Sequence, residues 1–327
     1  MSSLDLFIVL SFIAYALFSG FRSRSISSQN LDEYFLAGRS LKGWQAGISM
    51  AATQFAADTP LLVTGLIATS GIFALWRLWI YALAFLLMGF LLASSWRRAG
   101  VLTDAELTEL RYDGPAAALL RGFKAIYFGT IVNCTILAMV LLAATRLAEP
   151  FLKWNDWLPR DLYHPILHMV QWAHISFTLT EASAQTTWIL STNNLLSIGA
   201  IVFVTLLYST TGGLRSVVAT DIVQFGIAII ASGMFAWYVV QHVGGLEGLH
   251  QQLTTMYQPV GPANLTFTQL VAFTPSDAKY ASVTILLAYG FQWLFQMNAD
   301  GTGYLAQRSM ACRSDYDAKQ AAVIFTV

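Results

Sequence analysis

Charged side chains are scarce in this chain. Only 11% of its 327 residues are Asp, Glu, Lys or Arg, and 18 basic residues balance 18 acidic ones to give zero net charge. A soluble domain carries roughly 25% charged residues, and a nucleic-acid-binding domain shows a clustered basic surplus. The composition therefore excludes an ordinary soluble domain and gives no support for a nucleic-acid partner.

Cysteine is equally scarce. The chain has 2 cysteines, Cys134 in an apolar stretch and Cys312 in a basic loop, so it has neither a disulfide framework nor the paired spacing of a zinc site. The sequence also lacks an HExxH pattern, a phosphate loop and a nucleophile–base constellation. We therefore expect neither an enzyme nor an organic cofactor.

Long apolar runs are abundant instead. The chain is 56% hydrophobic with a mean hydropathy of +0.57, and about 20 consecutive apolar residues are enough for a helix to cross a bilayer. Seven spans are predicted, with an eighth beginning near Ala321: Leu4–Phe21, Trp44–Ile72, Phe73–Trp96, Ala125–Ala148, Trp188–Ser209, Ile222–Val243 and Tyr280–Leu305. The predicted fold is an all-α polytopic membrane bundle, with residues 1–327 forming one transmembrane domain.

The basic residues indicate the orientation of these spans. Thirteen of the 18 lie in the first, third, fifth and seventh loops, and loops rich in Lys and Arg stay in the cytoplasm. The N-terminus is then outside, since Leu4–Phe21 lacks the basic start of a signal peptide. Of the two long outer segments, Glu149–Thr187 is predicted to carry an interfacial helix at Pro165–Trp172. Leu246–Ala278 contains three prolines and is predicted to be mostly loop.

The second span is interrupted by polar residues between Thr53 and Pro60. Gln54 and Asp58 are one helical turn apart and share a face. If the helix unwinds here, the carbonyls of Ala52 and Phe55 lose their partners, and hard cations such as sodium bind oxygens of that kind. The alternative is an intact helix in which Gln54 and Asp58 bond to neighbouring helices. A carboxylate at mid-membrane still costs several kcal/mol unless it is paired or hydrated.

The seventh span has a matching interruption. Gln292, Gln296 and Asp300 follow each other at intervals of four residues and form a polar stripe on a helix. Gly301 and Gly303 then loosen the backbone. The alternative is that Asp300 marks the exit from the membrane.

A matched pair of broken spans is typical of the binding site of a secondary transporter. We therefore expect the interrupted segments to supply contacts to a transported solute or to its gates. These contacts are predicted at Thr53, Gln54, Asp58, Gln292, Gln296, Asn298 and Asp300.

Four segments resemble motifs of the sodium/solute symporter family. They are Asp32–Leu41, Leu102–Tyr112, Tyr208–Asp221 with Gln224 following, and Tyr304–Arg308. The third matches the family's signature and is the most specific. The four matches are spread over nearly the whole chain.

The resemblance implies the five-plus-five inverted-repeat fold of leucine-transporter-like proteins. Residues 1–42 would form a leading helix and loop, 43–243 the first repeat and 279–327 the start of the second. Family sodium sites use carbonyls that correspond to those of Ala52 and Phe55, and Gln54 falls where relatives place a polar side chain near the solute or ion. The hydroxyls that complete the sodium site lie on a later helix in relatives, so we expect the chain to be an N-terminal portion.

The resemblance thus implies a sodium-coupled symporter of a small organic solute in a lipid bilayer, in a bacterial inner membrane. Two alternatives remain open at this point. One is a solute sensor with a transporter-like membrane domain, and the other is a proton-coupled symporter with Asp58 or Asp300 as the proton carrier.

Overall fold

A computed structural model describes residues 3–178, 183–295 and 303–327 as a bundle of helices. Within these ranges the β-type pairing consists of a single parallel bridge between Leu41 and Cys312. The predicted all-α class is confirmed for the described residues.

The helices are numbered along the chain. The α-helices are α1 (Ser3–Ser27), α2 (Leu31–Leu36), α3 (Gly43–Gln54), α4 (Asp58–Ser70), α5 (Trp76–Trp79), α6 (Tyr81–Leu87), α7 (Ala93–Arg98), α8 (Leu107–Arg111), α9 (Pro115–Ile126), α10 (Asn133–Ala148), α11 (Trp154–Trp157), α12 (Arg160–Trp172), α13 (Ala184–His242), α14 (Gly245–Met256), α15 (Phe267–Val271), α16 (Val283–Gln292), α17 (Tyr304–Met310) and α18 (Asp315–Thr326). Short π segments at Met88–Leu92 and Tyr127–Val132 join α6 to α7 and α9 to α10. Short 3-10 turns lie at Ala37–Arg39, Ile72–Leu75, Pro262–Asn264 and Trp293–Phe295.

Continuous helices long and apolar enough to cross a membrane occur at Ser3–Ser27, Ile72–Arg98, Pro115–Ala148 and Ala184–His242. They contain the predicted first, third, fourth and fifth spans and all but the last residue of the sixth, and the chain is an integral membrane protein. The third of these helices begins ten residues before the predicted start of its span, because Pro115 occupies its first turn. Proline fits that position, where its missing N–H would have no partner in the helix.

Helix α13 is divided in its middle. A straight helix of its 59 residues would be about 90 Å long, roughly three times the thickness of the hydrocarbon core. Gly213 breaks it with φ 57° and ψ −160°, and α1 packs against both sides of the break. The Tyr15 hydroxyl donates to the carbonyl of Ala219 at 3.2 Å, and the Ser27 hydroxyl donates to that of Gly212 at 2.6 Å. The two predicted spans are therefore separate helices joined at a single glycine.

The best-packed part of the bundle brings the start of α3 against α17 and α18. Met50, Met88, Leu305 and Met310 are almost completely buried there. Gly47 lets two helices approach closely, since a Cβ on it would lie 2.7 Å from the carbonyl oxygen of Ala321.

A backbone contact and a helix cap fasten the same region. The Leu41 N–H donates to the Ala311 carbonyl at 3.0 Å. The Gly43 N–H, at the start of α3, donates to Asp317 Oδ1 at 2.9 Å. The first turn of α3 is thus tied to the first turn of α18.

Other helices expose their apolar side chains. Leu119 on α9 is 77% exposed, Met139 on α10 is 60% exposed and Phe235 on α13 is 70% exposed. Exposed apolar surface of this extent marks contact with lipid or with other protein, as expected for a chain that crosses a bilayer.

The two outer segments differ in how well the sequence predicted them. Helix α12 contains the predicted interfacial helix and begins five residues earlier, at Arg160. The prediction that Leu246–Ala278 is mostly loop is wrong for its first part, which forms α14 up to Met256. All three prolines of the segment lie after that helix, so they do not interrupt it.

Candidate functional site

The second predicted span is broken where its sequence is polar. Helix α3 ends at Gln54, Phe55 is non-helical with φ −85° and ψ 71°, and α4 begins at Asp58. Phe55 N–H donates to the Ala51 carbonyl at 2.9 Å, and the Thr59 N–H donates to that of Ala56 at 3.1 Å. The alternative of an intact helix is therefore wrong.

The break leaves main-chain oxygens without backbone partners. Among the described residues, no backbone N–H donates to the carbonyl of Ala52 or to that of Phe55. The Gln54 carbonyl accepts instead from the Thr59 hydroxyl at 3.3 Å. Carbonyl oxygens released from a helix in this way are the groups with which membrane transporters hold monovalent cations.

A buried ion pair lies beside the last turns of α3. Arg308 on α17 donates from Nη2 to Asp221 Oδ2 at 3.3 Å, and the side chains of Arg308 and Asp221 are only 6% and 15% exposed. Arg308 Nε donates to the Ser49 hydroxyl at 2.8 Å, which itself donates to Asp221 Oδ2 at 2.5 Å. We call Ser49, Thr53, Asp221 and Arg308 the Arg308 cluster. It joins α3, α13 and α17.

Two of the predicted contact residues touch α17 at this place. Thr53 Oγ1 accepts from Arg308 Nη2 at 3.0 Å and donates to the Ser49 carbonyl at 2.8 Å. Gln54 Oε1 accepts from the Tyr304 hydroxyl at 2.6 Å. The structure therefore brings Thr53 and Gln54 together with the end of the second broken span.

Asp58 and Gln292 are placed differently. Asp58 opens α4 and is partly buried, where a carboxylate is favoured by the helix dipole. The structure shows no hydrogen bond or ion pair between its carboxylate and the described residues. Gln292 ends α16, and its Nε2 donates to the Tyr81 hydroxyl, so it contacts α6 rather than the break in α3.

The second broken span is described only in part. Helix α16 ends at Gln292, a 3-10 turn follows at Trp293–Phe295, and α17 begins at Tyr304 after Gly303, whose φ is 63°. The predicted contacts Gln296, Asn298 and Asp300 lie outside the described residues.

The sequence analysis missed the Arg308 cluster as a site. It assigned Arg308 to a cytoplasmic loop, but this residue lies within α17 and is 5% exposed. Asp221 was noted only as the end of a motif. The signal that could have found the pair was an acid and a base, each in a family-like motif at the edge of an apolar span.

The chain resembles known membrane transporters over most of its length. The family model described as "SSF: Sodium:solute symporter family" matches residues 34–157 and 166–327. A sodium/glucose cotransporter of Vibrio parahaemolyticus is 21% identical over 327 residues, covering 99% of this chain and 52% of the relative. Sodium/glucose cotransporter 2 of Rattus norvegicus is 23% identical over 216 residues, covering 66% of this chain and 26% of the relative.

A solved structure shares the fold. It is described as the substrate-bound outward-open state of a Na+-coupled sialic acid symporter, and it aligns with a TM-score of 0.61 at 16% identity. The alignment covers 99% of this chain and 57% of that one. The chain thus spans about half the length of the Vibrio relative and of the solved structure, and about a quarter of the rat relative.

Proposed function

The chain belongs to the sodium:solute symporter family, and we propose that it takes part in sodium-coupled symport of a small organic solute by alternating access. The observation that carries the proposal is the break between Gln54 and Asp58, in the span where the sequence predicted it. Members of this family are transporters rather than enzymes.

Sodium is proposed to bind at the carbonyl oxygens of Ala52 and Phe55. Two features support this: both oxygens lack a backbone donor among the described residues, and the adjacent Ala56 and Ala57 have small side chains that leave room for an ion. Bound sodium would favour the unwound conformation over a continuous helix. By linkage, a solute that also requires this conformation would bind sodium-loaded protein more tightly, and sodium would bind more tightly in the presence of solute.

The membrane potential makes this coupling useful for uptake. Moving one elementary charge across 100 mV is worth about 2.3 kcal/mol, which corresponds to nearly fifty-fold accumulation of solute before any sodium gradient is counted.

Solute contacts are proposed at the polar side chains around the two breaks. Thr53 and Gln54 are exposed at the end of α3 while they bond to α17. Asp58 lies on the other side of the same break. Gln292 is proposed as a gating contact through its bond to Tyr81, and Gln296, Asn298 and Asp300 remain proposed contacts on sequence grounds.

The Arg308 cluster is proposed as the inner gate. It lies on the Gly43 side of the break, which the distribution of basic residues assigns to the cytoplasm. Its hydrogen bonds hold α3, α13 and α17 together. A path from the break to that side opens only if Arg308 separates from Ser49 or Asp221.

The proposed organisation is an inverted repeat with seven spans and the start of an eighth. Residues 1–42 precede the repeats, 43–243 form the first and 279–327 begin the second. The non-helical residues 55–57 in one segment, and the 3-10 turn at Trp293–Phe295 with the positive φ of Gly303 in the other, support this division. The proposed location is a bacterial inner membrane with the N-terminus outside.

The test is sodium-dependent uptake by the complete gene product carrying Gln54→Leu, reconstituted in vesicles with an inward sodium gradient. Leu removes the acceptor of the Tyr304 hydroxyl. We therefore expect the sodium-stimulated uptake that the wild type shows in a panel of small organic solutes to be lost, while membrane insertion is unchanged. Gln251→Leu, at an exposed position on α14, is the matched control and should transport normally. Uptake unchanged by Gln54→Leu would remove Gln54 from the site.

Proton coupling is the second candidate function, because the Asp58 carboxylate has no partner among the described residues and could carry a proton. A sodium gradient at fixed pH and a proton gradient without sodium separate the two. Uptake driven by the proton gradient alone, and abolished by Asp58→Asn, would replace sodium coupling with proton coupling.

A further inference from the structure

A cavity of about 410 Å³ lies between α1 and the part of α13 that follows Gly213. It shares no residue with the Arg308 cluster or with the break in α3. Its walls come from residues 15–26 of α1, from Ser40 and Leu41, from Gln45 of α3, and from residues 215–222 of α13. This volume is within the usual range for a site that binds a small molecule.

Two guanidinium groups line the cavity. Arg22 and Arg215 both line it, and none of its lining residues is an Asp or a Glu. Arg215 Nη2 is already bonded to Glu33 Oε2 and to the Ala37 carbonyl, each at 2.8 Å. Its Nε is buried and has no partner among the described residues. Because this nitrogen has almost no accessible surface, a ligand in the cavity would contact the terminal part of the Arg215 guanidinium, whose side chain is 32% exposed.

Arg22 is the arginine of the cavity that has no carboxylate partner among the described residues. Its side chain is exposed, and none of the ion pairs within the described ranges includes it. It follows Phe21, the last residue of the predicted first span, so its guanidinium lies near the level of the lipid headgroups. Long basic side chains at helix ends commonly reach that level.

The other residues that line the cavity provide hydroxyl groups and an apolar rim, which suit the glycerol and acyl chains of a phospholipid. Ser19 and Ser23 line the cavity on the same helix as Arg22 and carry hydroxyl donors. Phe18 and Ile26 form its apolar rim and are 61% and 40% exposed. A free phosphate ion would gain nothing from this rim, whereas the glycerol and acyl chains of a phospholipid would pack against it.

We propose that the cavity between α1 and α13 binds the phosphate of an anionic phospholipid, with Arg22 and Arg215 as its ligands. The charge of Arg22 favours an anionic headgroup over phosphatidylcholine, because a choline cation would lie beside a guanidinium group that has no carboxylate partner among the described residues. The site is independent of the transported solute, and its test does not require transport.

Native mass spectrometry of the complete gene product in detergent tests this, with phosphatidylglycerol and phosphatidylcholine added separately at equal concentration. We expect one tightly held phosphatidylglycerol per protein and at least ten times less phosphatidylcholine. Arg22→Gln should lower the affinity for phosphatidylglycerol by about tenfold or more, since hydrogen bonds between charged groups are the strong ones. Arg22→Lys should retain part of it.

Arg24→Gln is the matched control, because Arg24 is exposed on the same helix but does not line the cavity. It should bind phosphatidylglycerol like the wild type. Equal binding of the two lipids, or an equal loss in Arg24→Gln and Arg22→Gln, would overturn the proposal. Displacement of phosphatidylglycerol by millimolar inorganic phosphate would also overturn it, since the site would then recognise a soluble anion.

Discussion

Replacing Asp221 with Asn tests whether the Arg308 cluster holds three helices together. Asn has the same shape and can still accept from the Ser49 hydroxyl, but it removes the only carboxylate that the structure places against Arg308 within the described residues. Arg308 would then remain charged at 6% side-chain exposure with only neutral partners. Leaving one member of a buried ion pair uncompensated costs about 3–5 kcal/mol.

The assay is equilibrium unfolding of the complete gene product in mild detergent, with sodium-driven uptake measured in parallel. Asp221→Asn should lower the free energy of unfolding by about 3–5 kcal/mol and should reduce uptake. The double variant Asp221→Leu with Arg308→Met removes both charges. It should recover at least half of the lost stability, since apolar replacement of a buried pair is often close to neutral.

The chain offers an exposed pair as a control. Arg98 Nη2 lies 2.6 Å from Asp315 Oδ2, but the Arg98 side chain is 70% exposed. Such a pair is worth about 0–1 kcal/mol, so Arg98→Gln should change stability by no more than that despite the shorter distance. The reasoning is refuted if Asp221→Asn costs less than Arg98→Gln, or if the double variant is less stable than Asp221→Asn.

Three further predictions follow from other parts of the fold. Gly213→Ala should cost about 1–3 kcal/mol of stability in thermal unfolding, because its φ is 57° and a Cβ would lie 2.6 Å from the Tyr34 carbonyl; Gly226→Ala, in open space on the same helix, should be neutral or stabilising. Burial alone would raise the pKa of Asp317, but hydrogen bonds from Arg313, Ser314 and the Gly43 N–H hold the pKa at about 2. Because this pKa is lower in the folded state, the stabilisation is present above about pH 4 and is lost as the pH falls toward 2, so Asp317→Asn should flatten the pH dependence of stability in that window. Burial raises the pKa of the Cys312 thiol to about 12, so in a Cys134→Ser background, which removes the exposed second thiol, a maleimide at pH 8 should label Cys312 only after denaturation. Rapid labelling of the native Cys134→Ser protein would contradict the burial of Cys312.

The sequence predicted the position of the first helix break well. The polar run from Thr53 to Pro60 contains the non-helical residues 55–57, because polar groups and a proline within an apolar run disfavour a continuous membrane helix. The apolar spans at Leu4–Phe21 and Phe73–Trp96 were also placed within a few residues, since their length and hydropathy leave few alternatives.

The helix boundaries outside the bilayer were predicted less well. Helix α9 extends a predicted span by ten residues with a basic amphipathic segment, and α14 forms in a segment assigned to loop. Hydropathy identifies segments that lie within the membrane, but it does not identify helices that form in water. It therefore predicted neither the extension by α9 nor α14. The turn between the two halves of α13 was expected to be a longer loop, but Gly213 alone makes it because glycine adopts a positive φ without strain.

The Arg308 cluster could not be predicted from spacing. Ser49, Asp221 and Arg308 are separated by 172 and 87 positions along the chain, and their contact depends on how three helices pack. The same holds for the bond between Tyr304 and Gln54. Local periodicity placed Gln54 and Asp58 on one face, but it could not identify Tyr304 as the partner of Gln54.

The backbone bridge between Leu41 and Cys312 links the movement of the helices on either side of it. Helix α3 begins shortly after this piece of paired backbone and α17 ends shortly before it, and the bond from Gly43 to Asp317 also ties α3 to α18. Helices that are held by the same backbone contact cannot tilt independently of each other. A displacement of the start of α3 would therefore be transmitted to the end of α17 and to the start of α18.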